Sequence, residues 1–239
     1  STDPGVNDKQ TATWDFGDGT KQGKGFTVSH VYASPGVYTA TLMVGDGDGG
    51  TDSSTVQVYV SSDVQPCELQ LTEFMPDPTG SETREWIEVY NPTASDIDLV
   101  GMELSDSNVG YIDQSVVVPA GGYAVLCRSD PQDGINCAYD YGAVQLHNSA
   151  PDTFRLANAN GTISEVSYQG SSTGQTFAAA CPVCDPVTGI TTGHVDLPND
   201  PQYGLGGFGT PGAGSDDLDG DLVSACDLDC DDTDPSLNT

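Results

Sequence analysis

The stretch Trp14-Asp15-Phe16-Gly17-Asp18-Gly19-Thr20 places alternating apolar side chains directly before a Gly-Asp-Gly turn. The same alternation occurs throughout the first 62 residues, in the segments 11–16, 25–31, 37–44 and 54–60. Apolar residues at every second position are typical of a β-strand with one buried face. Turns rich in glycine and aspartate separate the segments, and short strands at this spacing predict an antiparallel β-sandwich.

Two further motifs follow this heptapeptide, His30-Val31-Tyr32 and Pro35-Gly36-Val37-Tyr38-Thr39. Together the three motifs resemble the signature of the polycystic-kidney-disease (PKD) domain, and they span most of residues 1–62. The resemblance implies an immunoglobulin-like sandwich of the kind found in extracellular proteins. It also implies that the first strand is missing, because in the family a strand precedes the loop that begins here with Ser1-Thr2-Asp3-Pro4.

A second β-rich unit is predicted for residues 63–214. Its alternating segments are 68–74, 85–90, 97–104, 115–118, 123–127, 153–156 and 162–168. Asn160-Gly161, between the last two segments, favours a type I′ hairpin turn. The Gly-, Pro- and Thr-rich segment near 171–204 lacks such alternation, and we interpret it as a long surface insertion.

Five motifs in this unit resemble the lamin tail domain, an immunoglobulin-like sandwich that is also common in secreted bacterial proteins. The motifs are Leu71-Thr72-Glu73-Phe74-Met75, Glu85-Trp86-Ile87-Glu88-Val89-Tyr90-Asn91-Pro92, Leu99-Val100-Gly101, Pro119-Ala120-Gly121-Gly122-Tyr123 and Phe208-Gly209-Thr210-Pro211-Gly212-Ala213. The expected fold class is therefore all-β, with two tandem immunoglobulin-like β-sandwiches and a short Asp-rich tail at 215–239.

The chain is strongly acidic, with 36 Asp and Glu residues against six Lys and Arg and a formal net charge of −30 at pH 7. This charge excludes nucleic-acid partners, since phosphate binding needs a basic surface, and it opposes docking on anionic lipid. It favours divalent cations or high salt. Of the acidic residues 29 are Asp, which prefers turns and hard-cation sites to helices. No apolar run approaches the roughly 18 residues of a membrane span, so none is predicted.

The tail contains nine Asp and no basic residue. Asp217-Leu218-Asp219-Gly220-Asp221 and Asp229-Cys230-Asp231-Asp232-Thr233-Asp234-Pro235 resemble the Asp-rich metal-binding repeats of bacterial surface proteins and thrombospondin type 3 repeats. Alternating carboxylates around a glycine supply the oxygen ligands that calcium binds. The predicted calcium ligands are Asp217, Asp219, Asp221, Asp229, Asp231, Asp232 and Asp234. The alternative is a solvated acidic tail, and an EF-hand is disfavoured because no Glu stands at the twelfth loop position.

A second, weaker calcium site is predicted in the first domain. Asp3, Asn7 and Asp8 lie in one predicted loop, and Asp46 lies in another with Asp48. In some PKD domains the corresponding loop binds calcium, so the resemblance implies the same ion here. The alternative is ordinary turn formation, because Asp and Asn cap turns without any ion.

Seven cysteines in this composition indicate disulfides and an oxidising compartment, with one thiol left over. Cys127 and Cys137 flank one loop and predict a local disulfide. Cys226 and Cys230 are near enough in sequence to staple the turn between them.

The remaining three cysteines leave their pairing open. Cys67 is expected to bridge either to Cys181 or to Cys184. These last two form a CxxC pair, but a redox role needs a thioredoxin-type helix start, which the Gly- and Pro-rich segment lacks. A zinc site would need the tail cysteines as its second ligand pair and is disfavoured in an oxidised chain.

No catalytic set is predicted. His30 alternates with apolar neighbours and is interpreted as structural, whereas His147 and His194 are expected to be isolated in loops. Glu85 and Glu88 suggest a glycosidase pair, but in a strand they point to opposite faces, and we interpret them as a polar rim. The sequence therefore predicts a protein that is not an enzyme.

Two functions are considered. The first is a non-catalytic structural or adhesive module of a bacterial cell surface, rigidified by Ca²⁺ and assembling with other protein chains by strand complementation into a fibre or layer. The second is an accessory region that binds substrate for, or anchors, a larger secreted hydrolase. For the second, Trp86, Tyr90 and Tyr111 would offer a stacking face to an extracellular polysaccharide, although Trp14 and Trp86 are expected in the two cores.

Overall fold

The structure is a computed structural model, and it describes residues 9–129, 135–142, 144–148, 151–171, 173–174, 176–197, 202–203 and 207–208. These residues form β-strands joined by turns, with one short 3-10 segment, Glu82–Arg84. Within these ranges no helix has the length and apolar character that crossing a bilayer requires. The all-β fold class is therefore confirmed.

The first domain contributes one antiparallel sheet within the described ranges. Its strands are β1 (Thr11–Asp15), β2 (Gly23–Lys24), β3 (Gly36–Gly45) and β4 (Thr51–Val60). They are ordered β2-β1-β3-β4, and β3 pairs with β4 over its whole length, from Gly36 opposite Val60 to Gly45 opposite Thr51. The strands predicted at 11–16, 37–44 and 54–60 are confirmed to within three residues at their ends.

The prediction of a strand at 25–31 is wrong. The chain pairs with β1 at Gly23 and Lys24, and the backbone N–H of Gly25 still donates to the carbonyl of Ala12. At Gly25 φ is +112°, and the chain leaves the sheet there. Phe26 and Val31 are then 60% and 87% exposed, so the alternating pattern of this segment does not mark a buried strand face.

The second domain is a sandwich of two main sheets. Its strands are β5 (Gln70–Met75), β6 (Trp86–Tyr90), β7 (Ile97–Asp98), β8 (Glu103–Ser105), β9 (Val109–Tyr111), β10 (Val117–Val118), β11 (Tyr123–Cys127), β12 (Cys137–Asp140), β13 (Asp152–Asn158), β14 (Gly161–Tyr168), β15 (Thr176–Cys184) and β16 (Thr191–Leu197). One sheet is ordered β12-β11-β6-β5-β15-β16 and the other β14-β13-β8-β9. β7 pairs with β10, and β17 (Gln202–Tyr203) pairs with β18 (Gly207–Phe208).

The core of this sandwich lies between the two main sheets. Phe74 and Ile87, which face each other across β5 and β6, pack with Leu104 and Phe154 of the opposite sheet. All four side chains are at most 1% exposed. Because alternate residues of each strand fill this space, the predicted immunoglobulin-like sandwich is confirmed for the second domain.

The interpretation of the segment near 171–204 as an irregular insertion is wrong. Residues 176–184 form β15, which pairs with β5 and places Phe177 opposite Phe74. The two rings stack with centroids 5.1 Å apart, so the segment completes the core. Its alanines and proline give no alternating signal, which explains why the sequence pattern missed it.

The predicted hairpin between β13 and β14 is confirmed, but the prediction of a type I′ turn is wrong. Asn158 pairs with Gly161, so the loop residues are Ala159 and Asn160. A type I′ turn needs positive φ at both loop residues. Among the described non-glycine residues φ is positive at Cys67 alone, so neither Ala159 nor Asn160 has the positive φ that this turn requires. The residue with positive φ is Gly161, at +132°, which lies just after the loop.

Two disulfides lie within the described ranges, and both agree with the predictions. Cys127 bonds to Cys137 across 10 residues, and Cys67 bonds to Cys184 across 117 residues. Of the two partners left open for Cys67, the structure selects Cys184. Cys226 and Cys230 lie outside the described residues, so their predicted bond stays a prediction.

Removing the long disulfide is expected to cost more stability than removing the short one. In the loop-entropy model, a loop of 117 residues is worth about 5 kcal/mol and a loop of 10 residues about 3 kcal/mol. We therefore expect Cys67→Ser with Cys184→Ser to lower the free energy of unfolding by ~2 kcal/mol more than Cys127→Ser with Cys137→Ser. Urea denaturation of the two double variants measures this difference, and equal losses would contradict it.

Candidate functional site

Most of the predicted calcium ligands lie outside the described residues. These are Asp3, Asn7, Asp8, Asp217, Asp219, Asp221, Asp229, Asp231, Asp232 and Asp234. Calcium binding by these residues stays a prediction. Asp46 is the member of the set that the structure describes.

Asp46 caps the turn between β3 and β4. One carboxylate oxygen accepts backbone N–H groups from Asp48 and Gly50, each at 2.9 Å. These backbone hydrogen bonds, first that of Asp48 and then that of Gly50, lower the pKa of the Asp46 carboxyl. The observed contacts are those of a turn cap, which was the alternative to a calcium site, and coordination by Asp46 stays a prediction.

His30 belongs to an aromatic and ionic cluster in the first domain. Its ring stacks on Phe16 with centroids 3.9 Å apart, and its Nε2 lies 2.7 Å from a carboxylate oxygen of Asp18. Tyr32 meets the His30 ring edge-on and donates its hydroxyl to the carbonyl of Phe16. These contacts fix the loop that follows β1, which supports the structural interpretation of His30.

The contacts of Asp18 determine its acidity. Desolvation alone raises the pKa of this carboxyl, but hydrogen bonds from the Thr20 side chain, from His30 and from the Thr20 backbone outweigh it. The net result is a pKa of about 2. Asp18 therefore stays ionised in the folded protein down to strongly acidic pH.

The two domains meet at a junction that the sequence did not reveal. Tyr59 of β4 stacks on Tyr111 of β9, with centroids 4.5 Å apart and the rings 12° from parallel. Gly101 lies against the start of the linker, residues 61–67 between the two domains. A Cβ added to Gly101 would clash with the backbone of Val60 and stand 2.8 Å from the nitrogen of Ser61. The first domain is thus in direct contact with the second.

Two asparagines of the β13–β14 hairpin hold the linker itself. The side-chain nitrogen of Asn158 donates to the carbonyls of Ser62 at 3.2 Å and Val64 at 2.7 Å. Asn160 donates to the Asp63 carboxylate at 2.7 Å. Such bonds fix backbone groups of a segment that would otherwise be a flexible connection.

An acidic cleft of about 300 Å³ borders this junction. Its lining includes the carboxylates of Asp63, Glu68, Asp96 and Asp98. All four carboxylates already accept hydrogen bonds. Asp63 accepts from Asn160, Glu68 from the backbone of Gln65, Asp96 from the backbone of Ala120, and Asp98 from the backbone of Val100 and Val116 and from Ser115. The cleft nevertheless concentrates negative charge where the two domains join.

The aromatic residues considered for polysaccharide stacking do not form one face. Trp86 is fully buried, Tyr90 stacks on Tyr123, and Tyr111 is engaged by Tyr59. The structure therefore does not bring the three rings together as a sugar platform.

The interpretation of Glu85 and Glu88 as a polar rim is wrong, because both side chains are buried. Glu85 accepts hydrogen bonds from the Arg128 guanidinium at 2.8 Å and from the backbone of Leu146 at 2.9 Å. Glu88 accepts a 2.6 Å hydrogen bond from the hydroxyl of Thr72. Both carboxylates are thus held by hydrogen bonds inside the domain.

His147 is not isolated, contrary to expectation. Its Nδ1 lies 3.4 Å from an oxygen of Asp152 and 3.7 Å from an oxygen of Asp106, and the three potential ligand atoms lie within 4.8 Å of one another. His194 lies in β16 and not in a loop. The His147 cluster was missed because its members are 41 and 5 residues apart, and no local spacing signals it.

A tyrosine hydroxyl borders the same cluster. Tyr168 donates to Asp152 at 3.2 Å. Burial, followed by the negative charge of Asp152 and this hydrogen bond, raises the pKa of Tyr168, so the phenol remains protonated as a donor.

Comparison with known proteins identifies the class of both modules. The family model of the PKD domain matches residues 1–60, and that of the Lamin Tail Domain matches residues 64–171. The chain therefore carries a PKD domain followed by a lamin tail domain, in the predicted order.

Among solved structures, the chain is similar to a DUF4876 family protein from Bacteroides thetaiotaomicron. The two are 11% identical, with a TM-score of 0.37, over 81% of this chain and 90% of that one.

The Asp18–His30 contact predicts an acid-sensitive contribution to stability. Because the pKa of Asp18 is lowered on folding, its contribution is present above the unfolded value of 3.8 and is lost as pH falls towards about 2. We expect Asp18→Asn to lower the melting temperature at pH 7, and the difference from the unmodified protein to vanish near pH 2.

Asp15→Asn is the matched control. The Asp15 carboxylate accepts a hydrogen bond from the backbone N–H of Gly17 in the same loop, and none of the hydrogen bonds described above joins it to His30. Melting curves at several pH values compare the two variants. A difference for Asp18→Asn that stayed constant between pH 7 and pH 2 would contradict the prediction.

Proposed function

We propose that the chain is a non-catalytic structural or adhesive module of an extracellular surface, in which two β-domains act as a spacer of fixed orientation. The observation that carries this proposal is the junction, where Tyr59 stacks on Tyr111 and the linker is hydrogen-bonded to Asn158 and Asn160. A flexible tether between independent domains would need none of these contacts. The PKD domain and the two disulfides support an extracellular location.

Calcium is the proposed rigidifying ion. The net charge of −30 makes the compact state repel itself unless cations are bound. The Asp-rich motifs of the tail place nine carboxylates within 25 residues, and four carboxylate residues line the cleft beside the linker. Ions held there would neutralise the charge and stiffen both the junction and the tail.

The edge strand β4 supports assembly with other chains of the same kind. Residues 51–57 are exposed, and in the described sheet β4 pairs with β3 alone. Val56 is 55% exposed and Met43 of the neighbouring strand 42%. A long edge with unpaired backbone groups is a template for strand addition, and we propose that it receives a strand from a neighbouring copy in a fibre or layer.

Gly101→Ala is expected to loosen the junction. The new methyl group would meet the backbone of Val60 and Ser61, and φ at this position is +77°, which disfavours any side chain. Gly121→Ala is the matched control, because its φ is +64° but nothing lies within 4 Å of the added carbon. We expect Gly101→Ala to lose ~1–3 kcal/mol more stability than the control, the usual cost of overpacking.

Small-angle X-ray scattering of the two variants measures the consequence for shape. The Gly101→Ala protein is expected to have a broader distribution of interatomic distances, as its domains no longer hold one orientation. Indistinguishable melting and scattering of the two variants would overturn the role given to the junction.

Calcium is expected to raise the melting temperature at fixed ionic strength. An ion that binds only the folded chain stabilises it by about 2.7 kcal/mol at 100 times its Kd. Thermal melts with calcium or EDTA, with mass spectrometry of the bound metal, test this on the whole chain. Analytical ultracentrifugation of the same solutions measures assembly.

The variant Asp219→Asn with Asp221→Asn is expected to bind fewer calcium ions than the unmodified protein. Asp52→Asn with Asp140→Asn removes the same charge from two exposed positions outside the predicted sites and is the control. If calcium does no more than matched monovalent salt, the acidity is an adaptation to salt and the calcium proposal fails.

A further inference from the structure

The cluster of Asp106, His147 and Asp152 lies in the second domain, and none of its members belongs to the predicted calcium motifs. Asp106 stands in the turn after β8, His147 in the loop before β13, and Asp152 at the start of β13. We propose that these three side chains bind one divalent transition-metal ion of the zinc class. The site is independent of the proposed calcium sites and of the spacer function.

The distances in the cluster suit such an ion. Two ligand atoms, each about 2.1 Å from a zinc ion in tetrahedral geometry, are about 3.4 Å apart. The Nδ1 of His147 lies 3.4 Å from the Asp152 oxygen and 3.7 Å from the Asp106 oxygen. Both distances from the imidazole nitrogen are therefore within 0.3 Å of the spacing that a tetrahedral ion requires, and all three ligand atoms lie within 4.8 Å of one another.

The donor set selects the class of metal. An imidazole nitrogen with two carboxylates is typical of zinc and its first-row neighbours, whereas calcium takes oxygen ligands. The charges also favour a dication, since one imidazole supplies at most a single positive charge against two carboxylates. The Asp106 side chain has 0% exposure and the Asp152 side chain 11%, so water screens the two carboxylates less than surface carboxylates, while the His147 ring is 43% exposed.

Hydrogen bonds from neighbouring groups hold both carboxylates in place. Asp106 accepts from the backbone of Asn108 at 2.6 Å, and Asp152 accepts from the backbone of Thr153 at 2.8 Å through its other oxygen. The Asp152 oxygen that faces His147 also accepts from the His147 backbone and from the Tyr168 hydroxyl. Such outer contacts orient metal ligands before the ion binds.

One side of the cluster opens to a cleft of about 500 Å³. Besides Asp106 and Asp152, hydroxyl-bearing residues line it, namely Ser107, Thr153, Ser167 and Tyr168. Three protein ligands leave at least one coordination position, and a water molecule in this polar cleft would fill it.

The test uses the whole purified chain, stripped with EDTA and returned to millimolar calcium so that oxygen-only sites are filled. Zn²⁺ is titrated by calorimetry, and Co²⁺ serves as a paramagnetic probe in NMR spectra of the three histidine rings. We expect one Zn²⁺ per chain and a large Co²⁺-induced shift of the His147 ring, with His30 unaffected.

Loss of a group that only orients a metal ligand weakens metal binding by up to about 100-fold. Because His147→Gln and Asp106→Asn each remove a ligand itself, we expect them to weaken Zn²⁺ binding by more than this. Tyr168→Phe, which removes one outer contact, is expected to weaken it by about 10-fold. Asp140→Asn, an exposed acidic change in the same domain, is the control and should leave the affinity unchanged. Melting curves in EDTA confirm that each variant is folded.

Two results would overturn the proposal. One is the absence of stoichiometric Zn²⁺ binding together with an unshifted His147 ring, which would make the cluster an ion pair only. The other is Zn²⁺ binding that His147→Gln leaves unchanged, which would place the ion elsewhere. Neither result bears on the calcium melts or on the Gly101 comparison.

Discussion

The attachment of the linker to the second sandwich is the constraint on which the relation between the two domains depends. Val64 is buried in the core of the lamin tail domain, the backbone of Cys67 donates to the carbonyl of Ile163, and Asn158 binds the carbonyls of Ser62 and Val64. The last residues of β4 therefore leave the first domain directly into a segment that belongs to the second. Because no slack remains between the two, Tyr59 is placed against Tyr111 and stacks on it.

A second theme is the use that the structure makes of aspartate. Many described aspartates accept a hydrogen bond from the backbone N–H two residues later, namely Asp15, Asp18, Asp46, Asp98, Asp106, Asp140 and Asp185. Asp makes this local turn readily because its side chain is short. The excess of Asp over Glu thus has a structural cause in the two domains, and the case for cation binding rests on the clustered carboxylates.

Most strands with an alternating pattern were predictable from the sequence, and so were the two families and the Cys127–Cys137 disulfide. The sequence also predicted a bridge from Cys67 to the CxxC pair, but it left open which of the two cysteines is the partner. Prediction failed where long-range contacts decide the structure. β15 has no alternation of its own and becomes a strand because Phe177 completes the aromatic core beside Phe74. Likewise, the sequence predicts that Glu85 is at the surface. It is buried because Arg128, which is distant in sequence, neutralises its charge.

The candidate sites follow the same rule. Local motifs, such as the turn that contains Asp46, can be located from the sequence. The sequence alone does not distinguish an aspartate that caps a turn from one that binds a metal ion. The cluster around His147 cannot be located, because the pairing of β8 with β13 within one sheet brings its members together. The junction is equally hidden, since Gly101 and Val60 become neighbours only after both domains have folded.

The Cys67–Cys184 bond has a mechanical consequence. It joins the end of the linker to the end of β15, and 117 positions of sequence separate the two sulfur-bearing residues. When the chain is pulled from its two sides, the covalent path of the load runs from the linker through the sulfur atoms and out beyond Cys184. The strands in between, including most of the lamin tail sandwich, carry none of that tension. A reducing environment would remove this bypass and make the sandwich itself the element that yields.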